Sequence, residues 1–381
     1  MADRSPSGTH PRLSVFTGHV LHVVDTSVFA AWGPMLRQAI WMLRESGVAT
    51  SLVTDDDDLL AGLDGTDVRG LRVDAVSGWR AWQLPGRLAR ELDPPPAIVH
   101  LWGTPGLSWV RRWANPRGVP RVIHVLGATH AERLARRGVP HDEIVAAVAQ
   151  PLVDAVASRF PTAARWARVS PAAALPLLPT SVRDAGRTCG VLCVSSLDDQ
   201  EGVEVFLSAL AQLRAQAADF QAVLVGNGRG GGDVWRAIRS HGVQGVCVVL
   251  DDPKLWEQGL PGADICVVPG VQRDPWLAPL LAMGLGKLVI ASREQPAEWF
   301  IDEQTAWQFT PGSAVELAYL LGRALGQPKL VQRTSMTASE YFHEHHAVGD
   351  LVLRLMSLYQ AAVDAEGAAP VQETSSERSD T

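Results

Sequence analysis

The chain has 381 residues, 46% of them hydrophobic, with 34 basic against 41 acidic side chains for a formal charge of -7. That length exceeds what one hydrophobic core usually fills, so two domains are expected. The acidic balance, with only short basic clusters such as Arg111-Arg112 and Arg136-Arg137 read as solvated helix faces, argues against a nucleic-acid partner.

No apolar run approaches the roughly 20 residues that cross a bilayer. Met1 to Pro11 is polar, without the apolar segment of a secretory signal, so a cytoplasmic protein is expected. Arg12 to Thr17 reads as a first strand, followed by a loop carrying Gly18 and Gly33, with Pro34 in the first turn of a helix. Leu36, Ala39, Ile40 and Leu43 form one apolar stripe, Gly47 ends the helix, and Val48 to Val53 is the next strand. Asp55 to Asp58 read as a solvated turn rather than a cation site, because no further ligands follow at a regular spacing.

After a weakly patterned stretch, Pro94-Pro95-Pro96 stiffens a turn before the strand Ala97 to Trp102. A helix through Trp109 and Trp113, a strand from Val122 to Leu126 and a helix headed by Thr129-His130 follow. Pro171 to Asp184 is alanine- and proline-rich and reads as an interdomain linker. Beyond it the rhythm restarts. Strands are expected at 190–195, 221–225, 246–250, 265–268 and 288–291, with a helix opening near Gly202 and a closing helix from Val348 to Val363. The turn Gly226-Asn227-Gly228 lies at the carboxyl end of one of these strands, where glycine allows backbone to approach a phosphate or another loop. Of four cysteines, Cys193, Cys247 and Cys266 sit in β-like runs, and all four are read as buried free thiols rather than metal ligands. The thirteen tryptophans show no period and are read as core or cleft walls.

This order of segments, with Trp32-Gly33-Pro34, Val225-Gly226-Asn227-Gly228, Gly262-Ala263-Asp264-Ile265 and above all Ala282-Met283-Gly284-Leu285-Gly286-Lys287-Leu288-Val289-Ile290-Ala291-Ser292, resembles the family 4 retaining glycosyltransferases. The resemblance implies an α/β fold of two Rossmann-like parallel-sheet domains facing across a cleft (GT-B). Its expected layout is a disordered 1–11, an acceptor domain at 12–178, a nucleotide-sugar domain at 179–345, a closing helix at 346–365 and a disordered tail at 366–381. It further implies a nucleotide-sugar donor, a glycan or lipid acceptor with peripheral membrane contact, and no metal or other cofactor.

In that family an arginine and a lysine neutralise the donor diphosphate and two glutamates hold the sugar and ribose. The aligned positions here carry Ser196 and Glu201, then Arg273 and Leu281, so the usual charges are replaced. Glu201 and Arg273 have opposite signs to the residues they replace, and an ion pair between them across the cleft mouth is one expectation. Arg229 is read either as a phosphate contact or as a solvated loop residue. Glu298 is a sugar contact or a helix-start carboxylate. Asp274 is a sugar contact or, before Pro275, the N-cap of its own helix. His130 is a candidate for the acceptor side or a capping residue. Together with Gly33, Gly226, Asn227 and Gly228 these are the candidate site. The function expected is sugar transfer from a nucleotide-sugar; the alternative is a non-catalytic GT-B module that binds a sugar, a lipid-linked glycan or a protein.

Overall fold

The computed structural model describes residues 16–140, 143–159, 165–175, 187–226, 228, 230–271 and 274–367. The first half runs β1 (His19–Val24), α1 (Thr26–Glu45), β2 (Ala49–Thr54), α2 (Asp57–Ala61), β3 (Arg69–Arg72), α3 (Leu84–Glu91), β4 (Ile98–Trp102), α4 (Leu107–Ala114), β5 (Arg121–Val125), α5 (Ala128–Arg137), β6 (Glu143–Ala147), α6 (Gln150–Ala157) and β7 (Arg165–Arg168). The second runs β8 (Cys189–Val194), α7 (Gln200–Ala215), β9 (Phe220–Val225), α8 (Gly231–Ser240), β10 (Cys247–Leu250), α9 (Trp256–Gly259), β11 (Ile265–Val268), α10 (Ala278–Gly284), β12 (Leu288–Ser292) and β13 (Trp307–Phe309), then α11 (Ala314–Gly326), α12 (Pro328–His345) and α13 (Val348–Gly367).

Both sheets are parallel and doubly wound. The first has the order β3-β2-β1-β4-β5-β6-β7, the second β10-β9-β8-β11-β12-β13. Strand order reverses between β1 and β4 in one sheet and between β8 and β11 in the other, and ligands of such sheets collect beyond the carboxyl ends at these reversals. Side-chain alternation explains the apolar runs of the second sheet. Cys193, Val267 and Ile290 enter one core, with α7 and α11, while Leu192, Val194, Cys266, Val268 and Val289 enter another that is continuous with the first domain. Both faces are covered, so both must be apolar. All four cysteines are free and buried, and burial pushes the Cys247 and Cys266 thiols up to about 12.

The first strand differs from the expected one. Residues 12–15 lie outside the described residues, and the strand beside β2 and β4 is His19–Val24. Its histidines hid it, since His22 breaks the apolar run although it is fully buried. Consequently α1 begins at Thr26, capped by Asp25, whose carboxylate accepts from Val28 N at 2.9 Å. Gly33 and Pro34 lie inside this helix rather than in a loop and first turn. The expected domain boundary at 178/179 falls in residues 176–186, outside the described residues, as do the termini 1–11 and 368–381. Helix α13 follows the second sheet in the chain. It returns to the first domain and packs on α1, β4 and β5.

Candidate functional site

The cleft lies where the two sheets' carboxyl ends meet. A cavity of about 490 Å³ is walled by Ser27 and Trp32 of α1, Leu126 and His130 after β5, Ser196 and Asp199 after β8, and Asp274 after β11. Asp198 completes an acidic wall with Asp199 and Asp274, and no described lysine or arginine lines this cavity. The two loops of the second domain are set by local geometry. Asp199 Oδ1 accepts from Gly202 N at 3.0 Å to open α7. A Cβ at Gly226 would sit 1.9 Å from Ser195 O, and one at Gly230 2.2 Å from Leu197 O. The glycine turn thus lets the loop after β9 press against the loop carrying Ser196 to Asp199. Gly226, Gly228 and Gly230 are not among the described residues that line the cavity.

Asp274 and His130 do come together. Asp274 does not cap its own helix; its Oδ1 accepts from Thr129 N at 3.0 Å, across the cleft in the first domain. Helix α5 starts at Gly127, which has no side chain to cap it, and a Cβ there would lie 2.1 Å from Asp274 Oδ1. The second domain therefore supplies the missing cap, where a carboxylate also opposes the positive end of the helix dipole. One residue on, the His130 ring lies beside Gly103 and Val28. Burial lowers its pKa to about 4 against the opposing pull of Asp274, and its Nδ1 has no hydrogen-bond partner among the described residues.

Glu298 works the same way one helix further along. Its Oε2 accepts from Gln150 N at 2.9 Å, capping α6, while Oε1 pairs with Arg168 at 2.9 Å. Glu298 does not reach the cleft cavity. Leu281 is 4% exposed, packs in the core of α10 and is not among the described residues that line the cavity. Glu201 is exposed beside Gly312, in the first turn of α7, and is not on the cavity wall. Ser196 is on that wall. Gly33 faces Glu257, whose Oε1 would be 2.8 Å from a Cβ there, so this glycine lets the second domain approach α1. Asn227, Arg229 and Arg273 lie outside the described residues, and with them the expected Glu201–Arg273 pair.

Several cleft-spanning contacts gave no sequence signal. Pro34 has no N–H, which leaves the Ala30 carbonyl without its helical donor; Trp256 Nε1 of the second domain donates to it at 2.9 Å. Leu277 N donates to the neighbouring Ala31 carbonyl at 3.1 Å. The acidic loop is solvated only in part: Asp57 and Asp58 are exposed, but Asp56 is not. Asp56 is 2% exposed, caps α2 through Leu59 N, and pairs with Lys254 of the second domain at 2.9 Å. Arg37 and Glu257 add a pair at 2.7 Å. Arg111 likewise is not a solvated residue but holds the fully buried Glu143. Among the described residues no group of three or more His, Cys, Asp or Glu is placed to hold a metal. No described helix is long and apolar enough to cross a membrane.

Residues 188–327 match the family model described as Glycosyl transferases group 1. No curated protein matches the chain in sequence. Solved structures that resemble it include a glycosyltransferase from Rickettsia africae ESF-5, at 15% identity over 91% of this chain and 98% of that one, with a TM-score of 0.70. Sucrose-phosphate synthase from Thermosynechococcus elongatus shares 16% identity over 91% and 99%, with a TM-score of 0.72. Anabaena HepE in complex with UDP and glucose shares 15% over 90% and 99%, with a TM-score of 0.71. The fold is therefore that of the GT-B glycosyltransferases, with the two Rossmann-like domains expected from the sequence.

Proposed function

We propose, from the GT-B fold and the group 1 match over the second domain, that this chain transfers a sugar from a nucleotide-sugar donor to a glycan or glycolipid acceptor. The observation that carries the reading is the cavity of about 490 Å³ between the carboxyl ends of two doubly wound sheets. The fold is shared with HepE, whose structure contains UDP and glucose. In this reading the donor lies against Ser196 and Asp199 and the acceptor against the first domain. His130, neutral near pH 7 because burial holds its pKa at about 4, accepts a hydrogen bond from a sugar hydroxyl through Nε2, since Nδ1 is sealed from solvent. Asp274 holds α5, and with it His130, in place. The reading expects no metal or other cofactor, a cytoplasmic reaction, and at most peripheral contact with a membrane.

The acidic cleft wall favours a second reading, a non-catalytic module. Asp198, Asp199 and Asp274 line the cavity, no described lysine or arginine offsets them on that wall, and a diphosphate bound there would need cations. Thermal stability in the presence of uridine, guanosine and adenosine diphosphate sugars separates the two. A true donor at 100 times its dissociation constant stabilises by about 2.7 kcal/mol, and chelation with EDTA leaves that shift in place. Stabilisation by none of the three rejects the transferase reading and leaves the module.

A further inference from the structure

A second cavity, of about 700 Å³, adjoins the cleft at Ser27 and lies wholly in the first domain, beyond β1 and β4. Its described walls carry three arginines, Arg112, Arg133 and Arg137, against one carboxylate, Asp25. That local excess of positive charge belongs to a chain with a formal charge of -7, and the cleft wall next to it is acidic. Asp25 accepts through Oδ1 from Val28 N and Ser27 Oγ at 2.9 Å each, and its single charge is attracted to Arg133. None of the three arginines forms an ion pair among the described residues. Arg112 donates to the Trp82 carbonyl at 3.0 Å and Arg137 to Ser108 Oγ at 2.6 Å, bonds that orient each guanidinium while leaving most of its five N–H groups available. A further observation points to a ligand. Thr104, on the same wall, is only 5% exposed, yet its hydroxyl has no hydrogen-bond partner. Trp82 borders the opening with 61% of its surface exposed.

Helix α5 ties this cavity to the cleft. His130, Arg133 and Arg137 are spaced i, i+3 and i+7 and so share one helix face. At a rise of 1.5 Å per residue the arginines follow His130 by about 5 and 10 Å along the axis. A molecule presenting a hydroxyl to His130 thus has its next groups over the guanidinium forks, which suit phosphate oxygens in bidentate geometry.

We propose that this cavity binds the acceptor through a phosphate group it carries, with Arg133, Arg137 and Arg112 as the anion contacts and Trp82 as a platform for a sugar ring. The proposal rests on the transferase reading for the word acceptor, but the binding itself can be measured without it. Isothermal titration of the full chain at low salt compares glucose 1-phosphate with methyl glucoside, and phosphatidylcholine vesicles with and without phosphatidic acid. Saturable binding of glucose 1-phosphate assigns a soluble phosphate; binding only of the phosphatidic acid vesicles assigns a lipid phosphate. Either is expected to weaken at least tenfold in Arg133→Gln/Arg137→Gln and to persist in Arg90→Gln, a control at an exposed arginine of α3 outside this cavity. Circular dichroism confirms that each variant is folded. No saturable binding of any phosphate probe, equal binding of the uncharged probes, or unchanged binding in the double variant overturns the proposal. Phosphate binding without stabilisation by any nucleotide-sugar removes the transferase reading while leaving the site. Nucleotide-sugar stabilisation without phosphate binding removes the site alone.

Discussion

Glu143 opens β6 with no solvent exposure, and its two oxygens are held by Arg111 at 2.7 Å and Arg121 at 3.1 Å. Taking a carboxylate out of water is costly, and the two guanidinium groups offset that cost only while it is present. Glu143→Ala removes the carboxylate shared by the buried Arg121 and the part-buried Arg111 and is expected to cost about 3–5 kcal/mol in a urea titration, whereas the surface pair of Arg44 with the 83% exposed Asp67 contributes little. At the cleft, His130→Ala removes one neutral hydrogen-bond acceptor. With that bond contributing about 1 kcal/mol, turnover is expected to fall by a factor of about 5 to 10 while donor-induced stabilisation is retained. The part played by Glu143 was not legible beforehand. Glu143 and Arg111 are 32 residues apart in the chain, and no spacing rule connects a strand start to a helix on the neighbouring connection.

Helix α1 shows how an element can be completed by another domain. Pro34 deprives the Ala30 carbonyl of a donor and the Trp256 indole replaces it. Trp256→Phe is expected to leave that buried carbonyl unpaired at a cost of about 1–3 kcal/mol. In a Pro34→Ala background the restored N–H takes over the carbonyl, so the same substitution costs at least 1 kcal/mol less; a double-mutant cycle on denaturant midpoints reads the coupling. Helices α5 and α6 follow the same principle, since Gly127 and Ala149 provide no side-chain cap and Asp274 and Glu298 supply one from across the cleft. The strand ending at Leu126, just before Gly127, was legible. That its lack of a side chain makes room for Asp274 was not, because the two are brought together only by the meeting of the domains.

For the whole molecule, buried histidines set the response to acid. Burial holds His22 and His124 at about 3 and His130 and His346 at about 4, all below the ordinary value near 6.5. Between those limits the unfolded chain binds protons that the folded chain refuses, so stability rises with pH through this window and is lost as pH falls below about 6.5. Each such histidine adds at most about 1.4 kcal/mol per pH unit to the slope. Denaturant midpoints between pH 7 and pH 5 are expected to fall steeply, and more shallowly in His124→Gln. A flat profile would show that these rings are not held neutral. The caps also predict a larger molecule when they are cut: Asp274→Ala/Glu298→Ala should raise the radius of gyration in solution scattering by loosening closure between the domains.

Periodicity and turn chemistry alone made the alternation of strands and helices legible, because burying a parallel strand on both faces demands an unbroken apolar run and ending a helix favours glycine. The runs at Ile265–Val268 and Leu288–Ser292 stand where they were expected. Tertiary structure decided the rest. It placed Leu281 in the core, turned Asp274 and Glu298 into caps for helices of the other domain, and buried His22 in a strand that its polarity concealed. The physical reason is one of range. Local rules act over a few residues, whereas a carboxylate's role depends on which charge or helix end the folded chain brings beside it.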